Sequence, residues 1–246
     1  MVSFPVQQEG ARCITGCVGH RRLPSVSNRN CTALWHVCGG HTKRRQKMHA
    51  LAWAQYDAHS TRFFETYESL EFRSMHRVFL RFLPQEGGRC LDVGAGSGRD
   101  AAALARMGYR VTAVEPSTGL RTLAEKYHNG LSIAWLDDSL PALNKVKMQG
   151  EQYAFILLSA VWMHIPPDDR PESLRTLAEL LAPQGRLAIT LRLGSPDPNR
   201  IMFPVSSREL VSQAAAVGLK PCYLGRPSRD SLRRGSVRWV RVVLSR

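Results

Sequence analysis

Acidic residues are nearly missing from both ends of this 246-residue chain. Residues 1–47 hold eight lysines and arginines against Glu9 alone, and residues 221–246 hold seven arginines against Asp230 alone. The segment between them carries 19 basic and 18 acidic residues, so the net charge of +14 sits on the ends and not on the body. Basic ends attract nucleic acid or anionic surfaces without specifying either. Long apolar runs are lacking too. No stretch approaches the roughly 20 residues needed to cross a bilayer, and the N-terminus has no compact apolar block of a secretory signal. We therefore expect a cytosolic protein (cytoplasmic localisation) with no membrane partner. Cysteine is sparse, six in all, and Cys13, Cys17, Cys31 and Cys38 fall in the first 47 residues. Their spacings do not match the paired knuckles of a zinc site, so no metal is expected. Cys90 and Cys222 lie in strand-like runs and read as buried thiols. No internal repeat is present.

What remains divides into an extension and a domain. Residues 1–47 mix Gly, Pro, Ser, Arg and Cys without period, as a disordered basic extension, a removable targeting segment or a region upstream of a true start at Met48 would. Residues 48–246 read as one domain. Its first part, 48–87, carries Phe63, Phe64, Tyr67 and Leu70 at helical spacing, which predicts one or two N-terminal helices. From 88 to 194 short apolar runs alternate with amphipathic ones, and 195–246 adds a helix and two strands, with Ser206 and Glu209 spaced as a capping box. Strand and helix alternate five times before the closing strand pair. That pattern predicts an α/β fold with a doubly wound, mostly parallel, seven-stranded sheet whose last strand runs antiparallel. In such sheets ligands bind beyond the carboxyl ends of the strands.

The residues just after the strands carry the chemistry. "LDVGAGSGRD" places Asp92, Gly94, Gly96 and Gly98 between the first strand and the first helix. Glycines let the backbone turn sharply and let a ligand approach without a Cβ in its way. A dinucleotide-binding loop has the spacing G-x-G-x-x-G and seats a pyrophosphate at the helix N-terminus. The spacing here is G-x-G-x-G, and the carboxylate of Asp92 would repel a pyrophosphate, which disfavours an NAD(P) oxidoreductase. Glu115 ends the second strand, where an acid can accept both hydroxyls of a ribose. Asp137, with Asp138 beside it, ends the third, where an acid can accept from an adenine amino group. One acid at each of three strand ends suits a nucleoside with an amino-acid tail.

On these residues the stretch 88–194 resembles a class I S-adenosylmethionine-dependent methyltransferase, a Rossmann-like family. Asp92, Gly94, Gly96 and Gly98 match the family's first motif. "RDAAALARMGYRVTAVEPS", "AVWMHI" and "LAELLAPQGRLAIT" are similar to segments of its small-molecule and tellurite-type members. The resemblance implies S-adenosylmethionine as cofactor, its methionine portion on the glycine loop, its ribose on Glu115 and its adenine near Asp137 and Asp138, with Ser159 after the fourth strand in the same site. His164, on the ligand side of the fourth strand, is the candidate catalytic base and is expected to titrate near neutrality. Trp162 and Met163 are candidates to wall the methyl pocket, and Tyr56 and Arg73 to close over the cofactor's carboxylate.

The acceptor is less legible. No Asn-Pro-Pro-Tyr element follows the fourth strand, which favours a small-molecule acceptor. The loop 225–235 offers Arg226, Arg229, Arg233 and Arg234 to an anionic one. Two alternatives stand beside this reading: an RNA methyltransferase using the basic ends, and a non-catalytic module that binds S-adenosylmethionine for regulation.

Overall fold

Five short apolar runs form a parallel set of strands: β1 (Arg89–Val93), β2 (Arg110–Val114), β3 (Ile133–Leu136), β4 (Tyr153–Leu158) and β5 (Leu181–Leu193). β6 (Lys220–Leu224), the two-residue β7 (Ser228–Arg229) and β8 (Arg238–Ser245) complete a sheet in the order β3-β2-β1-β4-β5-β8-β6, with β7 paired to β8. β8 runs antiparallel to β5, β6 and β7, as the closing strand was expected to. The computed structural model describes residues 53–246. The basic extension 1–47, with its cysteines and histidines, lies outside the described residues.

Both faces of the sheet are covered, so its central strands are apolar on both sides. In β4, Phe155 and Leu157 point to the face packed by Ala101 and Leu104 of α3 (Arg99–Arg106), Phe72 of α2 (Phe72–His76) and Phe79. Ile156 and Leu158 point to the other. There they meet Val146 of α5 (Asn144–Met148), Leu174 and Leu177 of α6 (Arg170–Leu180), and Leu210 and Ala214 of α7 (Ser207–Ala215). The remaining helices, α1 (Ser60–Glu68) and α4 (Thr118–Tyr127), pack on each other, with Phe64 edge-on to Tyr127. Helical residues 53–58 precede α1, and Asp57 of that turn accepts hydrogen bonds from Ser117 Oγ (2.7 Å) and the Gly119 N–H (2.9 Å) at the start of α4.

Four details depart from the sequence reading. The sheet has eight strands and not seven, because the arginine-rich loop pairs Ser228 and Arg229 with β8. α5 fills the crossover between β3 and β4, where no helix was expected. The capping box is half made: Ser206 Oγ accepts from the Glu209 N–H, but the Glu209 carboxylate turns to the buried guanidinium of Arg170 at 3.1 Å instead of back to Ser206. Cys222 is exposed, because β6 is an edge strand, while Cys90 is buried and burial pushes its thiol up to about 12. No helix among the described residues is long and apolar enough to cross a membrane.

Candidate active site

The strand order reverses direction between β1 and β4, and a deep cavity opens beyond the carboxyl ends of β1, β2, β4 and β5. This is where a doubly wound sheet leaves a crevice. Helical residues 53–58, α1 and α2 cover it from one side. The segments around 200–202 and 230–234 wall the other.

The glycine loop forms the floor, and its three glycines are bare for different reasons. All take positive φ: +71° at Gly94, +59° at Gly96 and +81° at Gly98. A methyl group at Gly94 would lie 2.5 Å from Val161, and one at Gly98 would lie 2.7 Å from Trp135 and 2.9 Å from His128. At Gly96 the nearest neighbour is the Tyr67 ring at 3.5 Å. Gly94 and Gly96 line the cavity, whereas Gly98 faces packed rings away from it. Gly98→Ala should therefore cost the fold about 2–4 kcal/mol, adding left-handed strain to overpacking. The check is a lowered urea midpoint at unchanged slope. Gly96→Ala should cost clearly less.

Glu115 ties the loop to β2. One carboxylate oxygen accepts the Gly96 N–H at 2.7 Å and the other the Ser117 N–H at 2.8 Å. The side chain lines the cavity with only 6% of the residue exposed. Burial pushes its pKa up to about 7, against the two amides and Arg121, which favour the charged form. Asp138 also lines the cavity, and its carboxylate caps α5, accepting from Lys145 N–H at 2.7 Å and Val146 N–H at 3.1 Å. Asp137 does not line it. Half exposed, it lies 3.5 Å from both Arg121 and Lys145.

Asp92 lies beneath the loop, 1% exposed and off the cavity wall. Neither of its oxygens has a hydrogen-bond partner of normal geometry, and the amide of Ala101 only weakly favours its charge. Burial raises its pKa well above the ordinary carboxylate range, and Asp100 raises it further.

A cluster of which the sequence alone pointed only to Ser159 stands next to it. Arg99 grips Asp100 with two hydrogen bonds, at 2.6 and 2.9 Å. Asp100 also meets His76 Nε2 at 2.9 Å, and the same nitrogen lies 3.3 Å from Ser159 Oγ. Burial would raise the Asp100 pKa, but Arg99 and His76 outweigh it and hold the carboxyl ionised. All four residues line the cavity. A local signal for Arg99 does exist, since a cation on the first residue of a helix opposes the preference for acids there. His76 is brought in by tertiary packing alone. Arg73, expected to close over the cofactor, is exposed and does not line the cavity.

At the opposite end, His164 Nδ1 lies 2.8 Å from the Ile201 carbonyl, which can only accept, so Nδ1 carries the proton. Nε2 is then the acceptor and takes the Tyr56 O–H at 3.0 Å, while Arg200 donates to the Tyr56 oxygen at 3.3 Å. Burial pushes His164 down to about 4, and Arg200 and Arg192 push the same way, so it is neutral at physiological pH and does not titrate near 7 as expected. Met163 lines the cavity, whereas Trp162 is buried in the core. Of the loop arginines, Arg234 alone lines it.

The residues present fit a zwitterionic nucleoside. Gly96 presents bare backbone to the cavity, Glu115 and Asp138 offer acceptors, and Arg99 offers a cation. A model of the methyltransferase domain family matches residues 67–221, more than half of the chain. The chain belongs to this family. The chain is 26% identical over 102 residues to an uncharacterized methyltransferase of Staphylococcus carnosus (strain TM300), a match over 42% of this chain and 46% of that protein. It thus spans about half the length of that curated relative. Its fold is similar to that of a TehB-like methyltransferase from Corynebacterium glutamicum, with TM-score 0.55 and 19% identity over 77% of this chain and 98% of that one. A glycopeptide N-methyltransferase solved with S-adenosylmethionine gives 0.56 and 15%, over 71% and 94%.

Proposed function

We propose that residues 48–246 form a cytosolic methyltransferase that carries the methyl group of S-adenosylmethionine to an anionic small molecule, with 1–47 as an extension outside the catalytic domain. One observation carries the reading: a single cavity joins Gly96 and Glu115 at one end to the Arg200–Tyr56–His164 chain at the other.

Glu115 would hold the ribose hydroxyls, and Asp138 and the backbone beside it the adenine. Arg99, freed in part from Asp100, would meet the carboxylate of the methionine tail, and the Gly94–Gly96 turn would lie against that tail. Asp92 would act from beneath, by shaping the loop. Arg99→Met should weaken S-adenosylhomocysteine binding about tenfold to a hundredfold, the worth of one charge-assisted hydrogen-bonded pair. Calorimetry on the full chain measures it.

Bound S-adenosylmethionine supplies a methyl on a positively charged sulfur that leaves as a neutral thioether. The chain's own contribution is to align the acceptor and exclude water, since oriented proximity is worth up to roughly 7–11 kcal/mol. An acceptor that arrives protonated needs a base. It can pass its proton to the Tyr56 oxygen as Tyr56 passes its own to His164 Nε2, with Nδ1 fixed on Ile201. Tyr56→Phe breaks this relay without emptying the site and should lower kcat tenfold or more while leaving cofactor affinity unchanged.

The RNA reading draws on the basic ends. Its N-terminal half lies outside the described residues, and Arg234 and Arg241 of the C-terminal half line the cavity, which favours a small acceptor. The test of the reading is transfer of labelled methyl from S-adenosylmethionine to a panel of small acids. Cofactor binding without turnover of any acceptor would support the non-catalytic module instead.

A further inference from the structure

Three arginines and two aspartates meet at the acceptor end of the cavity. Arg200 pairs with Asp197 at 3.0 Å, and Arg234 chelates Asp230 at 2.8 and 2.9 Å. Asp230 also accepts from Trp239 Nε1 at 2.7 Å, so neither aspartate is left over. Arg192 has no carboxylate within ion-pair distance among the described residues. It sits near the end of β5, 8% exposed, and lines the cavity. One terminal nitrogen donates to the Ser195 carbonyl at 2.8 Å, while Nε is buried with no partner. Arg241, nearby on β8, is a different case: its donors are taken by the Met75 carbonyl and Ser228 Oγ.

Burying a guanidinium with no ion-pair partner of its own is unfavourable: burial, Arg234 and Arg200 lower its pKa against Asp197 and Asp230, which are themselves paired with Arg200 and Arg234. Such a cost is tolerated where a ligand supplies the missing partner. The planar fork of an arginine matches a carboxylate in two parallel hydrogen bonds. The cavity that Arg192 lines also carries apolar and aromatic side chains, among them Trp53, Met163, Met202, Leu232 and Trp239.

We infer that Arg192 is the anchor for a carboxylate on the methyl acceptor, so that the substrate class is a small carboxylic acid with an apolar or aromatic body. This inference rests on the methyltransfer reading above. It bears only slightly on the base. Burial is the main reason His164 is weakly basic, with Arg200 and then Arg192 adding to it, so a carboxylate seated at Arg192 removes only the smallest of these contributions.

The test uses the full chain saturated with S-adenosylhomocysteine and titrated with acetate, benzoate and indole-3-acetate, each beside its neutral amide. At least one acid should bind and raise the melting temperature while its amide does neither. Arg192→Met should weaken that acid at least tenfold and leave S-adenosylhomocysteine affinity within twofold. Arg192→Lys, which keeps the charge but loses the fork, should fall between the two. Acids and amides that bind alike, acid binding that survives in Arg192→Met, or no binding by any of the three acids would each overturn the inference. Failure of S-adenosylhomocysteine to bind in the loading step would count against the methyltransfer reading itself.

Discussion

Glu115→Ala should weaken binding of S-adenosylhomocysteine at least a hundredfold. Two losses combine. The side chain holds the loop by accepting the Gly96 and Ser117 N–H groups, and in the proposed complex it also accepts the ribose hydroxyls. Hydrogen bonds to a charged group are worth about 1.5–3 kcal/mol each, so losing two to the ligand alone reaches roughly 3 kcal/mol, or about a hundredfold. Glu115→Gln keeps one acceptor oxygen and should fall between.

The same residue gives the binding a pH dependence with a definite sign. With its pKa pushed up to about 7, Glu115 is mostly protonated at pH 6 and mostly ionised at pH 8. Ribose donors favour the ionised form, so affinity should rise about tenfold from pH 6 to pH 8 and level off above. Glu115→Gln should flatten the profile. Thermal stability would not reveal this. A carboxyl whose folded pKa is raised binds more protons folded than unfolded, so it erodes stability as pH rises from 4.5 to about 7. His164, lowered from 6.5 to about 4, does the reverse and costs stability as pH falls through that window. The two largely cancel between about 4.5 and 6.5, which leaves binding as the informative readout.

The second large effect concerns His164. Because His164 is the final acceptor of the proton relay, His164→Ala should lower kcat by about a hundredfold to ten-thousandfold, the usual worth of a positioned general base, with cofactor affinity nearly unchanged. Because burial holds His164 near 4, its base form is already complete at pH 6. At saturating cofactor, kcat should therefore show no acid limb from this group between pH 6 and 8. A limb centred near 7 in kcat that vanishes in His164→Ala would place the base elsewhere on the pH scale and contradict the burial argument.

How much of this was legible in the sequence depended on whether the cause was local. The parallel strands announced themselves because each is a short apolar run closed by a turn, and the doubly covered sheet needs no more than that pattern. Ser117 capping α4 was equally local, and its Oγ accepts the Leu120 N–H at 3.2 Å. The glycine loop was legible as a loop, but its spacing did not say that Gly98 serves packing against Trp135 and His128 while Gly96 borders the cavity. Asp137 and Asp138 could not be told apart, since a strand end fixes neither neighbour's direction. One turns to Arg121 and Lys145, the other caps α5 at the cavity wall. The contacts that define the far end were out of reach. Arg200 meets Tyr56 across 144 positions, and His76 meets Ser159 across 83, distances over which only tertiary packing decides. Arg192 was visible as a charge inside the apolar run "RLAITLRL", yet only the folded neighbourhood shows that every nearby acid is already engaged.

In the proposed function the Gly94–Gly96 turn and the Glu115 carboxylate hold an amino-acid-bearing nucleoside. Calorimetric titration of the full chain with S-adenosylhomocysteine, beside NAD(H) as control, tests it most directly. One site of micromolar affinity for the first and no heat from the second are the expected results. Binding of NAD(H) in its place, or of neither, would contradict the proposed function.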